Sequence, residues 1–279
     1  MKNKVKIIDQ MFAHATYSTD FQHSNYIEWD RTPINKNDNV IIYTDYSLGQ
    51  VRIDNEMLPN FNSKNRIAWL LESPDITSQS HKWIEHNNNR FTTVLTHSKE
   101  LLDKGENYTF CPTGGCWIKP DDQKIYEKTK LVSIIASSKR MTNGHMLRHN
   151  SIQFLKGKID VYGGGYNPID YKLTALKDYA FSLTIENTNK DYYFTEKLID
   201  CFMTGTVPIY WGCPSIGNFF NTEGMITFQN IPELLEIFKG LSFEKYHIMK
   251  DAIEDNFERA KDYLITKDFI YKNYLSKDV

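Results

Sequence analysis

The chain has 279 residues, with 33 Lys plus Arg against 35 Asp plus Glu, and its net charge of -2 argues against nucleic acid as a partner. With 41% apolar and 14% aromatic residues it holds enough material for sizeable cores, which excludes extended disorder, and its length suits two domains better than one. Any anion site is then local, and the 17 Tyr and 16 Phe offer rings suited to stacking on sugars or bases.

The opening segment, MKNKVKIIDQMFAH, is positive, but Lys6 and Asp9 interrupt its apolar stretch, which is too short for a signal sequence or an anchor. No later run approaches a membrane span, so no integral span is expected. Strands are predicted at VKIID, NVIIYTD, RIAWLLE and FTTVLTHS, with helices around residues 80–86 and 98–104, which makes an α/β half. In CPTGGC, Cys111 and Cys116 have a zinc-like spacing but no second C-x-x-C or His pair. With Cys201 and Cys213 they read as buried thiols, and no metal site or disulfide framework is expected.

The polar stretch WIKPDDQKIYEKTK, with Pro120, marks a boundary, giving a first domain over residues 1–126 and a second over 127–242. Beyond it come a strand at 131–137, a helix near 144–156, the strand IDVYGGG, a helix near 170–178 and the strand AFSLTIEN. The helix opened by FTEK follows, then the strand VPIYWG, a short helix near SIGNFF, the strand MITFQ and the helix IPELLEIFKGL. Such alternation predicts a parallel, doubly wound sheet with its ligands at the carboxyl ends of the strands. In the C-terminal segment, residues 243–279, FEKYHIMKDAIEDNFERAKDYL predicts one long amphipathic helix packing back on the first domain to brace the pair.

P-loop, complete dinucleotide-binding, H-E-x-x-H and G-x-S-x-G motifs are all missing, which weakens ATPase, dehydrogenase, zinc protease and hydrolase readings. YYFTEKLIDCFMTGTVPIYWG is more informative. A Lys at a helix start opposes the helix dipole, so an anion is expected beside it. Thr195 lies in the first turn, Glu196 and Lys197 project beside free N–H groups, and helical spacing brings Tyr193 near both. A diphosphate there would meet the helix N-terminus and the ammonium together, while the carboxylate accepts from sugar hydroxyls. A surface helix with an ordinary Glu-Lys pair fits the same residues.

YAFSLTIENTNKDYYFTEKLIDCFMTGTVPIYWG resembles the signature of the α1,3-fucosyltransferases, glycosyltransferase family 10. There a strand ending F-x-x-x-x-E-N leads through D-Y to T-E-K and on to V-P-[IV]-x-x-G. The matching residues are Phe181, Glu186-Asn187, Asp191-Tyr192, Thr195-Glu196-Lys197 and Val207-Pro208-Ile209-Tyr210-Trp211-Gly212. Upstream, Ser137-Ser138 stands for the family's Ser-Asn, Arg148 takes the Arg position, and Gly163-Gly164-Gly165 supplies the Gly-rich turn.

The resemblance implies a GT-B type α/β fold, with an acceptor-binding domain and a nucleotide-sugar donor-binding domain, both Rossmann-like, facing a central cleft. It implies inverting transfer of fucose from GDP-fucose to a hydroxyl of a glycan acceptor, with no required cofactor and no obligatory metal. The expected location is cytoplasmic, or peripheral to a membrane where glycans are assembled. Arg148 and Lys197 match the phosphate ligands, Glu196 the residue on ribose or fucose hydroxyls, Tyr193 lies near the phosphates, and Asn187 follows Glu186 at a strand end facing the cleft. Gly164 and Gly165 with Tyr166 are candidates for the guanine pocket.

The family's base is a Glu in the first domain near an E-S-P-like sequence, which makes Glu72 of RIAWLLESPDI the candidate. The family's Gly-Glu-Asn before it is Leu-Leu here, so Asp45 of IIYTDYSL stands as the substitute, and Glu72 as a turn cap before Pro74 is the plainer reading. Another GDP- or UDP-linked sugar as donor, or an inactive nucleotide-sugar-binding protein, are the alternatives. Acceptor choice is expected in YSTDFQHSNYIEWDRTPINKND and ESPDITSQSHKW, whose rings suit stacking on a sugar.

Overall fold

The computed structural model describes residues 2–10, 22–35, 38–57, 66–105 and 107–276. The chain divides into two units: unit one is Met1–Gly114 with Ile265–Val279, and unit two is Gly115–Leu264.

Runs of β-branched and aromatic residues set the strands of unit one. They are β1 (Asn3–Ile8), β2 (Ile27–Asp30), β3 (Ile41–Thr44), β4 (Arg66–Trp69), β5 (Thr93–Thr96) and β6 (Tyr108–Phe110). All pair in parallel in the order β2-β1-β3-β4-β5-β6. The central strands β3 and β4 bury every residue, as a parallel sheet covered on both faces requires. Alternation assigns Ile42 and Trp69 to one core, closed by Ile270 and Leu275, and Ile41, Tyr43 and Ala68 to the other. Helices α1 (Gln50–Met57), α2 (Ser78–Asn87) and α3 (Lys99–Leu102) connect the strands. β2 and β6 were not apparent from pattern, because IEWD carries two acids and YTF is too short to make a run.

Unit two holds β7 (Lys130–Ile135), β8 (Asp160–Tyr162), β9 (Tyr179–Ile185), β10 (Val207–Trp211) and β11 (Ile226–Thr227). Their parallel order is β11-β10-β9-β7-β8. Its helices are α4 (Asn143–Phe154), α5 (Glu196–Phe202), α6 (Ile231–Lys239), α7 (Phe243–Ile248) and α8 (Lys250–Ala260). From β7 the chain runs through α4 to β8 on one side, then crosses to β9 on the other. The connections therefore reverse between β7 and β9, and a crevice at their carboxyl ends is where such sheets hold ligands.

Two expected helices differ. Around 170–178 only the 3₁₀ turn Lys172–Ala175 forms, with no side-chain cap and only Ala175 buried within it. The long helix is split at Met249, because its halves serve different anchors. Tyr246 Oη on α7 donates to Gly205 O at 2.8 Å, whereas Asn256 on α8 donates to Asn221 O at 2.8 Å and accepts from Asn221 N at 2.7 Å. Both halves belong to unit two. Only α9 (Thr266–Ile270) and the π-helical turn Tyr271–Leu275 join unit one. There Asp268 accepts from Ser24 Oγ at 2.5 Å and Asn25 N at 3.0 Å, fastening the segment before β2. In the loop expected to read the acceptor, residues 17–21 and 36–37 lie outside the described residues. Among the described residues no helix is long and apolar enough to cross a membrane.

Candidate active site

At the reversal point of unit two, α4 starts hard against the residues that follow β9. Gly144 N donates to Asn187 O at 3.2 Å, and a Cβ on Gly144 would lie 1.8 Å from Glu186 O. Only glycine lets the helix begin there. One turn on, Arg148 is buried, donating from Nε to Ile185 O at 2.8 Å and from Nη2 to Asn187 Oδ1 at 2.9 Å. The guanidinium is thus aimed by the end of β9. His145 is also buried, with Nδ1 2.8 Å from Thr142 Oγ1. Burial, then Arg148 and Lys139, push its imidazole down to about 4, so it is neutral at ordinary pH.

Glu186 is fully buried and organises the start of α5. Its Oε1 accepts from Thr195 N at 2.8 Å and its Oε2 from Thr195 Oγ1 at 2.7 Å. Lys197 Nζ donates to Thr195 Oγ1 at 3.0 Å and lies 3.4 Å from Glu186 Oε2 and 3.5 Å from Glu196 Oε1. Glu196 Oε1 is also 3.2 Å from Lys172 Nζ, which reaches Asp200 Oδ2 at 2.8 Å and sits 4.1 Å from the Trp117 ring centroid. Asp200 Oδ1 accepts from Trp117 N at 2.7 Å.

Arg148, Lys197 and Lys172 therefore face Glu186, Glu196 and Asp200. Burial opposes ionisation of Glu196, but Lys172 and Lys197 outweigh it and hold its carboxyl well below the usual range. For Asp200 burial outweighs the pull of Lys172 and the carboxyl is raised.

At the start of α4 the Gly144 and His145 amides are already used, the latter by Thr142 Oγ1 at 3.3 Å, and at the start of α5 Thr195 Oγ1 accepts from the Lys197 amide at 3.4 Å. Side-chain cations carry the positive charge here. Tyr193 precedes α5, so helical spacing does not place it. It is buried, within electrostatic reach of Arg148. The adjoining Phe194 packs on Phe219 at 4.9 Å and Phe220 at 5.4 Å, which anchors the loop entering α5.

Past β8, Gly164 and Gly165 are exposed, and Gly165 has φ 102°, with a Cβ placing 3.0 Å from Ser138 Cβ. Tyr166 Oη donates to His149 Nδ1 at 2.5 Å, while His149 Nε2 donates to Lys139 O at 3.0 Å. This turn is thereby tied to α4.

In unit one, Asp45 and Glu72 were alternatives, and they are neighbours. Asp45 directly follows β3, and Glu72 lies just past β4, its parallel partner. Asp45 is buried with φ 36°, and accepts from Leu71 N at 3.2 Å and Glu72 N at 3.4 Å. Burial, then the charge of Glu72, push its carboxyl up to about 8. Glu72 itself is partly exposed.

The family model for glycosyltransferase family 10 (fucosyltransferase), C-terminal region, matches residues 125–274, more than half of the chain. The chain belongs to glycosyltransferase family 10. This family 10 chain is 35% identical over 119 residues to an α-(1,3)-fucosyltransferase of Helicobacter pylori, covering 41% of this chain and 24% of that protein. It is 28% identical over 197 residues to the Bos taurus 4-galactosyl-N-acetylglucosaminide 3-alpha-L-fucosyltransferase 9, covering 69% of this chain and 51% of that protein. The matches thus span about a quarter and about half of these relatives. A crystal structure of an α1,3-fucosyltransferase with GDP-fucose superposes with a TM-score of 0.58 at 19% identity, covering 98% of this chain and 91% of that one. The same enzyme type with GDP gives 0.55 at 20% identity, covering 100% and 92%. The fold of this family 10 chain is theirs: GT-B, with two parallel α/β sheets.

In this family 10 chain the signature residues Glu186, Asn187, Thr195, Glu196 and Lys197, with Arg148, converge at one corner of unit two. Lys172, Asp200, Trp117 and Gly144 belong to the same corner and were missed. Gly144 had a signal, a glycine at a predicted helix start without a turn to explain it. Lys172 had none, since it reaches Asp200 only through tertiary packing. Among the described residues no group of three or more His, Cys, Asp or Glu is placed to hold a metal, and all four cysteines are free and buried.

Proposed function

We propose that the protein is an inverting fucosyltransferase that moves fucose from GDP-fucose to a hydroxyl of a glycan acceptor. The reading is carried by the pairing of Arg148 with Asn187 at the carboxyl end of β9, in a chain of the fucosyltransferase family. Arg148 commits two of its five donors to the protein, which leaves three for phosphate oxygens. Lys197 adds a point charge, and together they stabilise the diphosphate as the bond to fucose breaks. Glu196, held ionised by Lys172 and Lys197, accepts from donor hydroxyls. The turn at Gly164, Gly165 and Tyr166 borders the guanine. Unit one supplies the acceptor surface and the base, with Glu72 as that base. The two α1,3-fucosyltransferase structures, named as holding GDP and GDP-fucose, support this donor choice.

The test is release of GDP from GDP-fucose by the full chain, followed with and without a galactosyl-N-acetylglucosaminide acceptor. Fucosylated product of inverted configuration is expected. Turnover of a UDP-sugar in place of GDP-fucose would reject the reading.

A further inference from the structure

The peptide groups on either side of Glu72 are held by three buried ionisable side chains. Asp45 accepts from Leu71 N at 3.2 Å and Glu72 N at 3.4 Å. On the other side, Glu72 O faces His81 Nε2 at 3.1 Å and His97 Nε2 at 3.2 Å. A carbonyl only accepts, so both imidazoles donate an Nε2–H to the same oxygen. The two rings stand 6.0 Å apart. Exposure is 1% for Asp45, 6% for His81 and 0% for His97, so the grip is dry.

Burying three such groups is unfavourable unless each is satisfied, and burial pushes His97 down to about 3 and His81 also downward, keeping both neutral. Asp45 further adopts a φ of 36°, which L-residues rarely take. Strain of this kind persists where the surroundings over-determine it, as they do at functional sites. The residue so gripped keeps its own side chain partly exposed, and that side chain is a carboxylate.

We infer that Asp45, His81 and His97 form a clamp on the main chain of Glu72 that positions its carboxylate to take the proton of the attacking hydroxyl. This rests on the fucosyl-transfer reading above. In the step, the acceptor O–H breaks and its proton passes to Glu72. The acceptor oxygen bonds to the anomeric carbon, and the carbon–phosphate oxygen bond breaks with its electron pair leaving on GDP. The clamp exchanges no proton or electron. Its three members are positioning residues, and they act because a misplacement of about 1 Å costs on the order of a hundredfold in rate.

The experiment follows hydrolysis of GDP-fucose by the full chain, with water as the acceptor, for wild type, Glu72→Gln, Asp45→Ala, His81→Leu and His97→Leu. His81→Gln and His97→Gln, whose amides reach the Nε2 position, serve as rescues. The dissociation constant of GDP is measured for each. Expected are a fall in kcat of about tenfold or more for the Ala and Leu variants, GDP affinity within about twofold of wild type, and recovery in the Gln variants. Where a Leu variant does not fold, the Asn variant, whose amide stops short of Glu72 O, takes its place. Absence of any GDP release by wild type would overturn the fucosyl-transfer reading and the clamp with it. Wild-type turnover in Glu72→Gln would overturn Glu72 as base. Loss in Glu72→Gln with unchanged kcat in the clamp variants would overturn the clamp alone.

Discussion

Arg148 Nη2 donates to Asn187 Oδ1 at 2.9 Å, and this bond joins α4 to the residues that follow β9. It sets the direction of a guanidinium that is almost wholly buried. Arg148→Lys keeps the charge but loses the planar fork, and with it the two-point hold on Ile185 O and Asn187 Oδ1 that aims the group. GDP affinity should fall by about ten- to a hundredfold, or about 1.4 to 2.7 kcal/mol, measured by titration calorimetry. Unchanged affinity would remove Arg148 from the diphosphate.

Gly144 is the point of contact between the same two segments. Gly144→Ala puts a methyl group 1.8 Å from Glu186 O, against backbone that has nowhere to go. The loss of stability should reach or exceed about 1–3 kcal/mol, with GDP binding weakened as Arg148 is displaced. Gly49→Ala, where no atom lies within 4 Å, is the control and should stay within about 0.5 kcal/mol. Urea unfolding of both variants reads the difference.

The signature from Phe181 to Gly212 was legible because β9 and β10 are buried on both faces and so read as apolar runs flanking a polar loop. Lys172 was not legible. It lies 24 residues before Glu196, on a turn that lacks helical periodicity, and only packing brings the two together. Asp45 and Glu72 were found separately. Their adjacency follows from the parallel pairing of β3 with β4, which a list of strands without their order cannot give. His81 and His97 come from α2 and from just past β5, and they meet at one carbonyl that carries no sequence signal.

Lys172→Met removes the cation shared by Glu196 and Asp200. A fully buried pair broken in this way loses about 3–5 kcal/mol, and since Lys172 is 18% exposed a loss of about 1–3 kcal/mol is expected. Adding Asp200→Asn should return part of that loss, because one orphaned carboxylate is gone. Additive losses in the double mutant would contradict the coupling.

Asp45 makes stability depend on pH in a defined direction. Its carboxyl is pushed up from 3.8 to about 8 by burial and then by Glu72. Between those values the folded chain holds a proton that the unfolded chain has released, so stability falls as pH rises through the window. Asp45→Asn removes this contribution. Its Tm should fall less than that of wild type between about pH 5 and pH 8, and parallel Tm curves would show that Asp45 titrates normally.

The corner built by Arg148, Asn187, Glu196 and Lys197 is proposed to read a guanosine diphosphate sugar. Thermal shift of the full chain with GDP-fucose, GDP-mannose, GDP, UDP-sugars and CMP-sialate tests it most directly. A ligand at a hundredfold excess over its dissociation constant stabilises by about 2.7 kcal/mol, enough to be read as a clear rise in Tm. GDP and GDP-fucose should stabilise wild type, with the shift reduced in Arg148→Lys and Lys197→Ala. Stabilisation by UDP-sugars with none by GDP would show that this corner does not read a guanosine diphosphate.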